Sequence, residues 1–442
     1  MVSKPERKQV PQPLKSIPND WDFEQLGKLI DFKNGYAFNS SNYTEEGKII
    51  LRMSNISKEG KLQFREDNIK YCSEEEYNHL ESFHLKEGDL VICMTDVTPE
   101  KAIIGRTAVI DADNKYILNQ RVGRIRITEG ERILGSFLHY FTNFDLYLKF
   151  MRERCSGSAQ FNLSTSEIKS VYVPLPPIAE QRKIAAILSS VDEAIEKTEA
   201  IIEQTEKVKK GLMQQLLTKG IGHTKFKKTE IGEIPEEWEV KTIGEIGSLK
   251  SGTTPSREKA ELYYKSGEIP WVKTMDLNNS FIVDTHEKVT NLALEETSLS
   301  IIPKGSVLVA MYGGFNQIGR TGLLKIDATI NQALTAILIN TELIEPEFLL
   351  IWLNYKVNHW KKFAASSRKD PNITKNDVAN FPVVIPSLEE QRKIYTTILN
   401  ISKKIENEII KKQQLQIIKK GLMQVLLTGK VRVKVDNEVM SQ

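Results

Sequence analysis

Cysteine is scarce in this chain, with three copies in 442 residues. Cys72, Cys93 and Cys155 are odd in number, far apart and confined to the first half, which excludes a disulfide framework and a cysteine-based zinc site. Histidine is nearly as rare: six copies are scattered without an HExxH pair, and His139 and His359 read as helix residues packed beside aromatics. A Walker-type phosphate cradle is missing, because Gly27-Lys28, Gly47-Lys48, Gly60-Lys61 and Gly429-Lys430 all lack the following Ser or Thr. GxGxxG is absent too, and Gly313-Gly314-Phe315 and Gly319-Arg320-Thr321-Gly322 read as turns after a strand. No apolar run reaches membrane-spanning length, and the polar stretch Met1–Lys15 has no export-signal core. A reducing cytoplasm is the expected compartment. Net charge is only +3, so no overall basic field dominates, although 61 Lys and Arg leave room for a locally basic face. With no nucleophile, metal set or acid–base pair, the chain is expected not to be an enzyme by itself.

What is present is a duplication. Ser16-Ile17-Pro18-Asn19-Asp20-Trp21 returns 217 residues later as Glu233-Ile234-Pro235-Glu236-Glu237-Trp238. Glu180–Ile184 returns 210 residues later as Glu390–Ile394, and Lys209–Gln214 returns as Lys419–Gln424. From Ile178–Thr218 to Leu388–Thr428 the offset holds at 210 without a gap, whereas earlier it drifts from 217 through 214 and 212. Gap-free repetition marks a constrained scaffold; drift marks variable loops.

The gap-free segments read as helices of ~40 residues, about 60 Å long. Pro176-Pro177 and Pro386 precede them, where proline is tolerated. Ile184, Leu188, Val191, Ile195, Ile202, Val208, Leu212 and Leu216 form a largely alternating 4–3 seam, with Thr198 and Thr205 filling positions. Ile394, Ile398, Ile401, Ile405, Leu415, Ile418, Leu422 and Leu426 repeat it. Packing the stripes together in a pseudo-two-fold predicts two antiparallel helices in an intramolecular coiled coil. The preceding segments look mixed: Asp89–Met94 and Ser306–Met311 as buried strands, Leu134–Met151 and Glu347–Phe363 as helices, Val171–Val173 and Val383–Ile385 as closing strands. The expected fold class is α+β. Its expected parts are a tail (1–16), a first domain (17–177), a first helix (178–220), a linker (221–232), a second domain (233–386), a second helix (387–428) and a tail (429–442).

Polar side chains recur at equivalent places beside the strands and turns. They are Lys33 with Lys250, Arg52 with Lys273, Asn55 with Asp276, Arg106 with Arg320, and Asn119-Gln120 with Asn331-Gln332. Such side chains grip phosphates and read base edges. Arg106 and Arg320 suit a structural role equally well, and Asn162-Leu163-Ser164 and Asn372-Ile373-Thr374 suit helix caps or turns. Positions that differ between the copies bear on specificity: Thr95-Asp96 against Tyr312-Gly313, and Gln160 against Asp370.

The run Thr229–Pro235 to Trp238, followed by Lys250-Ser251-Gly252-Thr253-Thr254-Pro255, resembles the start of a target-recognition domain in the DNA-specificity subunits of type I restriction–modification enzymes. Pro174–Ile184 and Pro386–Gln391 are similar to that family's entries into its spacer helices, and Lys210–Thr218 to a helix end. The likeness spans about Ile17 to Val433. It implies two target-recognition domains, each reading one half of an asymmetric bipartite site in double-stranded DNA, and paired helices that set the spacing. Lys33, Arg52, Asn55, Thr95, Asp96, Arg106, Asn119, Gln120 and Gln160 are then candidate DNA contacts. In the second copy they are Lys250, Thr253, Lys273, Asp276, Tyr312, Arg320, Asn331, Gln332, Arg368 and Lys369. One departure stands out, Ser366–Asp370 in place of Ser156–Gln160. Glu180, Gln181, Ile184, Leu188, Leu212, Glu390, Gln391, Ile394, Ile398 and Leu422 are the helix positions tied to spacing and to two methyltransferase subunits. The resemblance also implies a motor–nuclease subunit, with S-adenosylmethionine, ATP and Mg held by the partners and no cofactor here. The rival reading is a duplicated adaptor with a coiled-coil core that binds proteins instead of DNA.

Overall fold

The computed structural model describes residues 17–314, 316–364 and 372–434. The chain forms two compact units, residues up to Glu199 together with those from Ile410 onward, and Ala200–Ile409. Each unit holds one α+β domain and about half of each long helix.

In the first unit, strands Ile30–Asn34, Val122–Ile127, Leu90–Cys93 and Thr107–Val109 lie in that order in an antiparallel sheet. A smaller sheet orders Tyr71–Cys72, Lys48–Leu51 and Tyr116–Leu118, its last pair parallel. The second unit repeats the larger sheet with Gly247–Ser251, Leu334–Ile339, Val307–Ala310 and Thr321–Leu324, then adds Ser280–Ile282 in parallel on the edge. It repeats the smaller one with Lys288–Val289, Ile269–Val272 and Thr329–Ile330.

The unbroken apolar runs have a physical cause. Side chains of a strand alternate between two faces, so a strand with a core on both faces has no polar side. Leu90 and Ile92 enter the core shared with the helices, while Val91 and Cys93 enter the core under the small sheet. Val307 and Val309 separate from Leu308 and Ala310 in the same way.

The two segments expected as single helices are each broken. Gly135–Thr142 and Asp145–Arg152 are split at Asn143-Phe144, where Asn143 Nδ2 is drawn to the Thr107 carbonyl at 3.0 Å. Pro346–Tyr355 and Val357–Ala364 are split at Lys356, and Asn354 there accepts from Thr321 Oγ1 at 2.6 Å. At each break an Asn ties its helix to the fourth strand of the larger sheet, Thr107–Val109 in one unit and Thr321–Leu324 in the other. His139 and His359 lie edge-on to Tyr140 and Phe381. Tyr172–Leu175 and Pro382–Ile385 close the domains by pairing antiparallel with Asp22–Gln25 and Glu239–Thr242. Within the stretch expected as a linker, Phe226–Thr229 forms a strand that pairs with Gly232–Pro235.

The long helices run Ile178–Thr218 and Leu388–Leu426. Gly220 and Gly429 follow them at φ +65° and +66°, the left-handed conformation that stops a helix and favours glycine. A Cβ at Gly220 would fall 2.5 Å from Glu390 Oε1, and one at Gly429 2.4 Å from Pro18 Cδ, so close approach demands glycine as well. The helices pair antiparallel within each unit. In the first, Lys419 meets Asp192 at 2.6 Å and Lys412 meets Glu199 at 3.0 Å. In the second, Leu216 and Leu217 share a core with Ile394 and Ile398.

The seam differs from expectation at one step. Val208 and Ile418 are 54% and 52% exposed. The 4–3 spacing, continued strictly from Thr205 and Leu415, lands on Lys209 and Lys419, both less exposed than their apolar neighbours. Apolar character misplaced the seam by one residue in each copy.

Candidate nucleic-acid interface

Strand ends gather the candidate residues at one end of each domain. In the first unit, Ile30–Asn34 runs into Gly35-Tyr36, where Tyr36 N donates to Leu118 O at 3.0 Å and Gln120 N to Tyr36 O at 2.7 Å. Asn119 N donates to Leu51 O, Met94 N to Arg121 O, and Leu163 N to Met94 O. Lys33, Arg52, Asn119, Gln120, Thr95, Asp96 and Gln160 therefore lie on neighbouring strand ends and loops. The second unit builds the same junction: Thr253 N donates to Ile330 O, Asn331 N to Val272 O, Met311 N to Ala333 O, and Ile373 N to Met311 O. That brings together Lys250, Thr253, Lys273, Asp276, Tyr312, Asn331 and Gln332.

Glycine makes the junction possible in both copies. A Cβ at Gly35 would sit 1.9 Å from Asn119 O, and one at Gly252 2.2 Å from Asn331 O. Beside these glycines, Asn119 and Asn331 each keep a buried Oδ1 without a hydrogen-bond partner. A buried amide oxygen is thus left unpaired at the same place in both units.

The candidates separate into those that can reach a ligand and those the fold consumes. Gln120, Lys250 and Gln332 are exposed, Tyr312 is 40% exposed, and Thr253 is half-buried. Thr254 donates to Gln332 and fixes its amide. Lys33 is half-buried, its Nζ 4.4 Å from the Phe83 ring centre. Arg52 and Lys273 open short turns, Met53–Asn55 and Thr274–Asp276.

Four candidates are drawn into bonds within the fold, and three of them, Asn55, Asp96 and Thr95, are buried. Asn55 is fully buried, accepts from Arg52 N at 2.9 Å and donates toward Gln63 and Asn68. Asp276 plays the same turn-closing part, accepting from Lys273 N at 2.7 Å. Asp96 is 2% exposed and holds the following loop through Thr98 N, Thr98 Oγ1 and Ile103 N. Thr95, equally buried, donates to Asn162 Oδ1, which also accepts from Gln160 Nε2. Asn162 is thus a cross-link; the helix caps are Ser164 and Thr374.

Arg106 is half-buried and donates from Nε to Ala102 O at 3.0 Å. It lines a cleft of about 340 Å³ with Asn143, Asp192 and Lys419, which places it on the helix side. Burial, and then Arg152 nearby, lower its pKa from the usual guanidinium range. Arg320 is half-buried, and its backbone N–H donates to the Gln317 carbonyl at 3.1 Å. Arg368 and Lys369 lie outside the described residues.

The repeated Glu-Gln pairs explain themselves once the helix starts are seen. Gln181 is fully buried, accepts from Leu134 N and donates to Arg132 O and Pro176 O. Gln391 does the same with Glu345 N, Leu343 O and Pro386 O. Glu180 accepts from Trp21 Nε1 at 3.1 Å and Glu390 from Trp238 Nε1 at 3.0 Å. Each carboxylate is also held by the segment after a helix end, Arg432 for Glu180 and His223 for Glu390. Ile184, Leu188, Ile394 and Ile398 are buried, and Leu212 and Leu422 partly so. These helix positions point inward.

Sequence reasoning missed Arg257, Glu287 and Met275. Arg257 and Lys273 converge on Glu287, and Met275 is 73% exposed on the turn after Lys273. Only the position of Arg257, just past the Lys250–Pro255 loop, could have drawn notice. Nothing local links Glu287 to a site.

Comparison with known proteins accords with this duplicated geometry. A sequence model of the type I restriction modification DNA specificity domain matches residues 18–207 and again 235–417. The type I restriction enzyme MjaVIII specificity subunit of Methanocaldococcus jannaschii is 26% identical over 417 residues, spanning 88% of each chain. The EcoBI specificity subunit of Escherichia coli is 25% identical over 427 residues, covering 90% of this chain and 84% of that one. A crystal structure of the type I system S subunit from M. genitalium shares the fold, with TM-score 0.55, 17% identity and coverage of 93% and 96%. With one such domain in each half, the chain belongs to the type I restriction modification DNA specificity family.

Proposed function

We propose that this chain is the sequence-reading subunit of a type I restriction–modification complex. Each α+β domain reads one half of an asymmetric bipartite site in double-stranded DNA, and the paired helices set the spacing and dock two methyltransferase subunits. The observation that carries this reading is one strand-end junction built twice with different exposed side chains. Tyr312 is exposed in one copy, where its counterpart Thr95 is buried in the other. A duplicated scaffold with unlike tips suits a target with two unlike halves.

Catalysis belongs to the partners on this reading. S-adenosylmethionine would sit in the methyltransferase subunits, ATP and Mg in a motor–nuclease subunit, and the complex would work in the cytoplasm. Among the described residues, no helix is long and apolar enough to cross a membrane. At a net charge of +3, affinity for phosphate must come from local cations such as Lys250 and Lys273, and it should fall steeply with salt.

The test is to map methylated bases across the genome of a host expressing this chain with its methyltransferase. A bipartite, asymmetric motif is expected, and removing one heptad from each helix should shorten or abolish its gap. A continuous motif, or a spacing unchanged by the deletion, would sink the two-reader model.

A further inference from the structure

In the second unit, two cations and two aromatic rings surround one carboxylate beside the strand-end loops. Arg257 donates from Nη1 and Nη2 to Glu287 at 2.5 and 3.0 Å, and Lys273 Nζ donates to it at 2.8 Å. The Arg257 guanidinium carbon lies 4.1 Å from the Tyr264 ring centre and 5.2 Å from that of Trp271. Both rings are fixed, Tyr264 by donating to Pro255 O at 2.6 Å and buried Trp271 by donating to Thr253 O at 3.3 Å. The cluster adjoins the candidate face on two sides. Thr253 belongs to the Gly252 junction, and Lys273 opens the turn whose Thr274 would lie 3.5 Å from a Cβ on Gly313.

We propose that Arg257 is a base-reading residue of the second domain, that Glu287 is the positioning residue holding it, and that Lys273 supplies an adjoining phosphate contact. The inference rests on the DNA-reading function proposed above. A guanidinium carries five N–H donors, and Glu287 takes two, one from each terminal nitrogen. The edge formed by Nε and Nη2 keeps a parallel pair of donors, the arrangement that matches guanine O6 and N7. The carboxylate and the Tyr264 face fix the side chain before DNA arrives, which lowers the ordering cost of binding. Glu287 also stays charged throughout the working range, because Arg257 foremost, and then Lys273, hold its pKa down to about 2 against burial.

Among the described residues the first unit has no such device at the equivalent place. Arg52 stands where Lys273 does, Ile50 stands where Trp271 does, and Arg52 makes no side-chain ion pair among the described residues. Specificity that differs between the half-sites is the expected consequence.

The test compares Arg257→Lys and Glu287→Gln with the unaltered chain, each in complex with its methyltransferase. Methylated bases are mapped, binding to an unrelated duplex is measured over a salt series, and a thermal melt checks folding. Lys cannot form the two-donor edge, so Arg257→Lys should relax the motif at one G·C position by roughly 5- to 150-fold. Glu287→Gln should relax the same position while leaving non-specific binding undiminished, since it removes a negative charge. The other half-site should be unchanged in both. An intact motif in both variants overturns the proposal. So does a uniform loss across sequences with a shallower salt dependence, which would make Arg257 a phosphate clamp. An unaltered chain that yields no bipartite motif would count against the DNA-reading function itself.

Discussion

The two units solve one problem with different chemistry. In both, a helix-entry glutamate accepts from the indole of the tryptophan that opens the domain, and a segment leaving a long helix closes over it. In the first unit that segment brings Arg432, which also pairs with Asp20 at 2.7 and 2.8 Å. In the second it brings His223, 3.0 and 3.1 Å from the carboxylate, and the Ile221 N–H at 2.8 Å. Arg432 brings a planar fork of N–H donors that spans two carboxylates, whereas His223 brings one ring nitrogen to one carboxylate. The scaffold is repeated, but the cost of breaking it is not.

The largest expected effect comes from removing the carboxylates. Glu180→Ala takes the acceptor from the Trp21 indole and the Val433 N–H and leaves the partly exposed Arg432 to Asp20 alone, and should cost roughly 2–4 kcal/mol. Glu390→Ala takes the acceptor from the Trp238 indole, the His223 ring and the Ile221 N–H but strands no guanidinium, so its cost should be nearer about 1–2 kcal/mol. Urea unfolding with hydrogen exchange followed in each unit measures both. Equal losses would erase the distinction between the clasps.

Acid should separate the units next. His139 is held well below its ordinary value, at about 4, by burial first and then by Lys419. Between about pH 6.5 and 4 the unfolded chain takes up a proton that the folded chain refuses, so the first unit loses stability as pH falls. The contribution is complete above about 6.5 and amounts to as much as ~3 kcal/mol lost by pH 4. The repeat places Leu350 at the equivalent position, which cannot titrate. His139→Leu should flatten the acid limb of Tm against pH for the first unit; an unchanged limb would locate the sensitivity elsewhere.

Smaller effects should follow at the junction glycines. Gly35→Ala and Gly252→Ala each drive a methyl into a backbone carbonyl, costing roughly 1–3 kcal/mol. Each should blur only its own half-site in the methylation map. Blurring of both halves by either variant would mean the loops do not act separately.

How much of this was legible in the sequence depends on how local the cause is. Helix spans, closing strands and double-cored strands were readable, because periodicity and proline placement are written within a few residues. The breaks at Asn143 and Lys356 were not, since each reflects a hydrogen bond to a strand over thirty residues earlier in the chain. Asn55 and Asp96 looked like base readers because residue type cannot show burial. Glu287 was invisible for the opposite reason, its partners lying 14 and 30 residues away. Repetition found the scaffold but was a poor guide to reading residues, because the same polar side chain can recur to close a turn.

The misplaced seam offers the finest comparison. Strict 4–3 spacing puts a lysine on the seam in each half, Lys209 and Lys419, at the gap-free offset of 210. Their surroundings differ. Lys419 pairs with Asp192 at 2.6 Å, both side chains at least four-fifths buried, and Asp192 also accepts from Tyr140 at 3.0 Å. At the position equivalent to Asp192 stands Ser402, whose hydroxyl is turned back to Ile398 O at 2.8 Å, and Lys209 has no ion pair among the described residues. Replacing Lys209 by Leu should therefore be neutral or stabilising by about 0.5–1 kcal/mol, since a half-buried charge without a partner is exchanged for apolar burial. Replacing Lys419 by Leu strands Asp192 with Tyr140 alone and should cost about 1–2 kcal/mol. Thermal melts of the two single variants decide the point. Effects of the same sign and size would mean that the seam lysines are equivalent, and that the difference between Asp192 and Ser402 carries no energy.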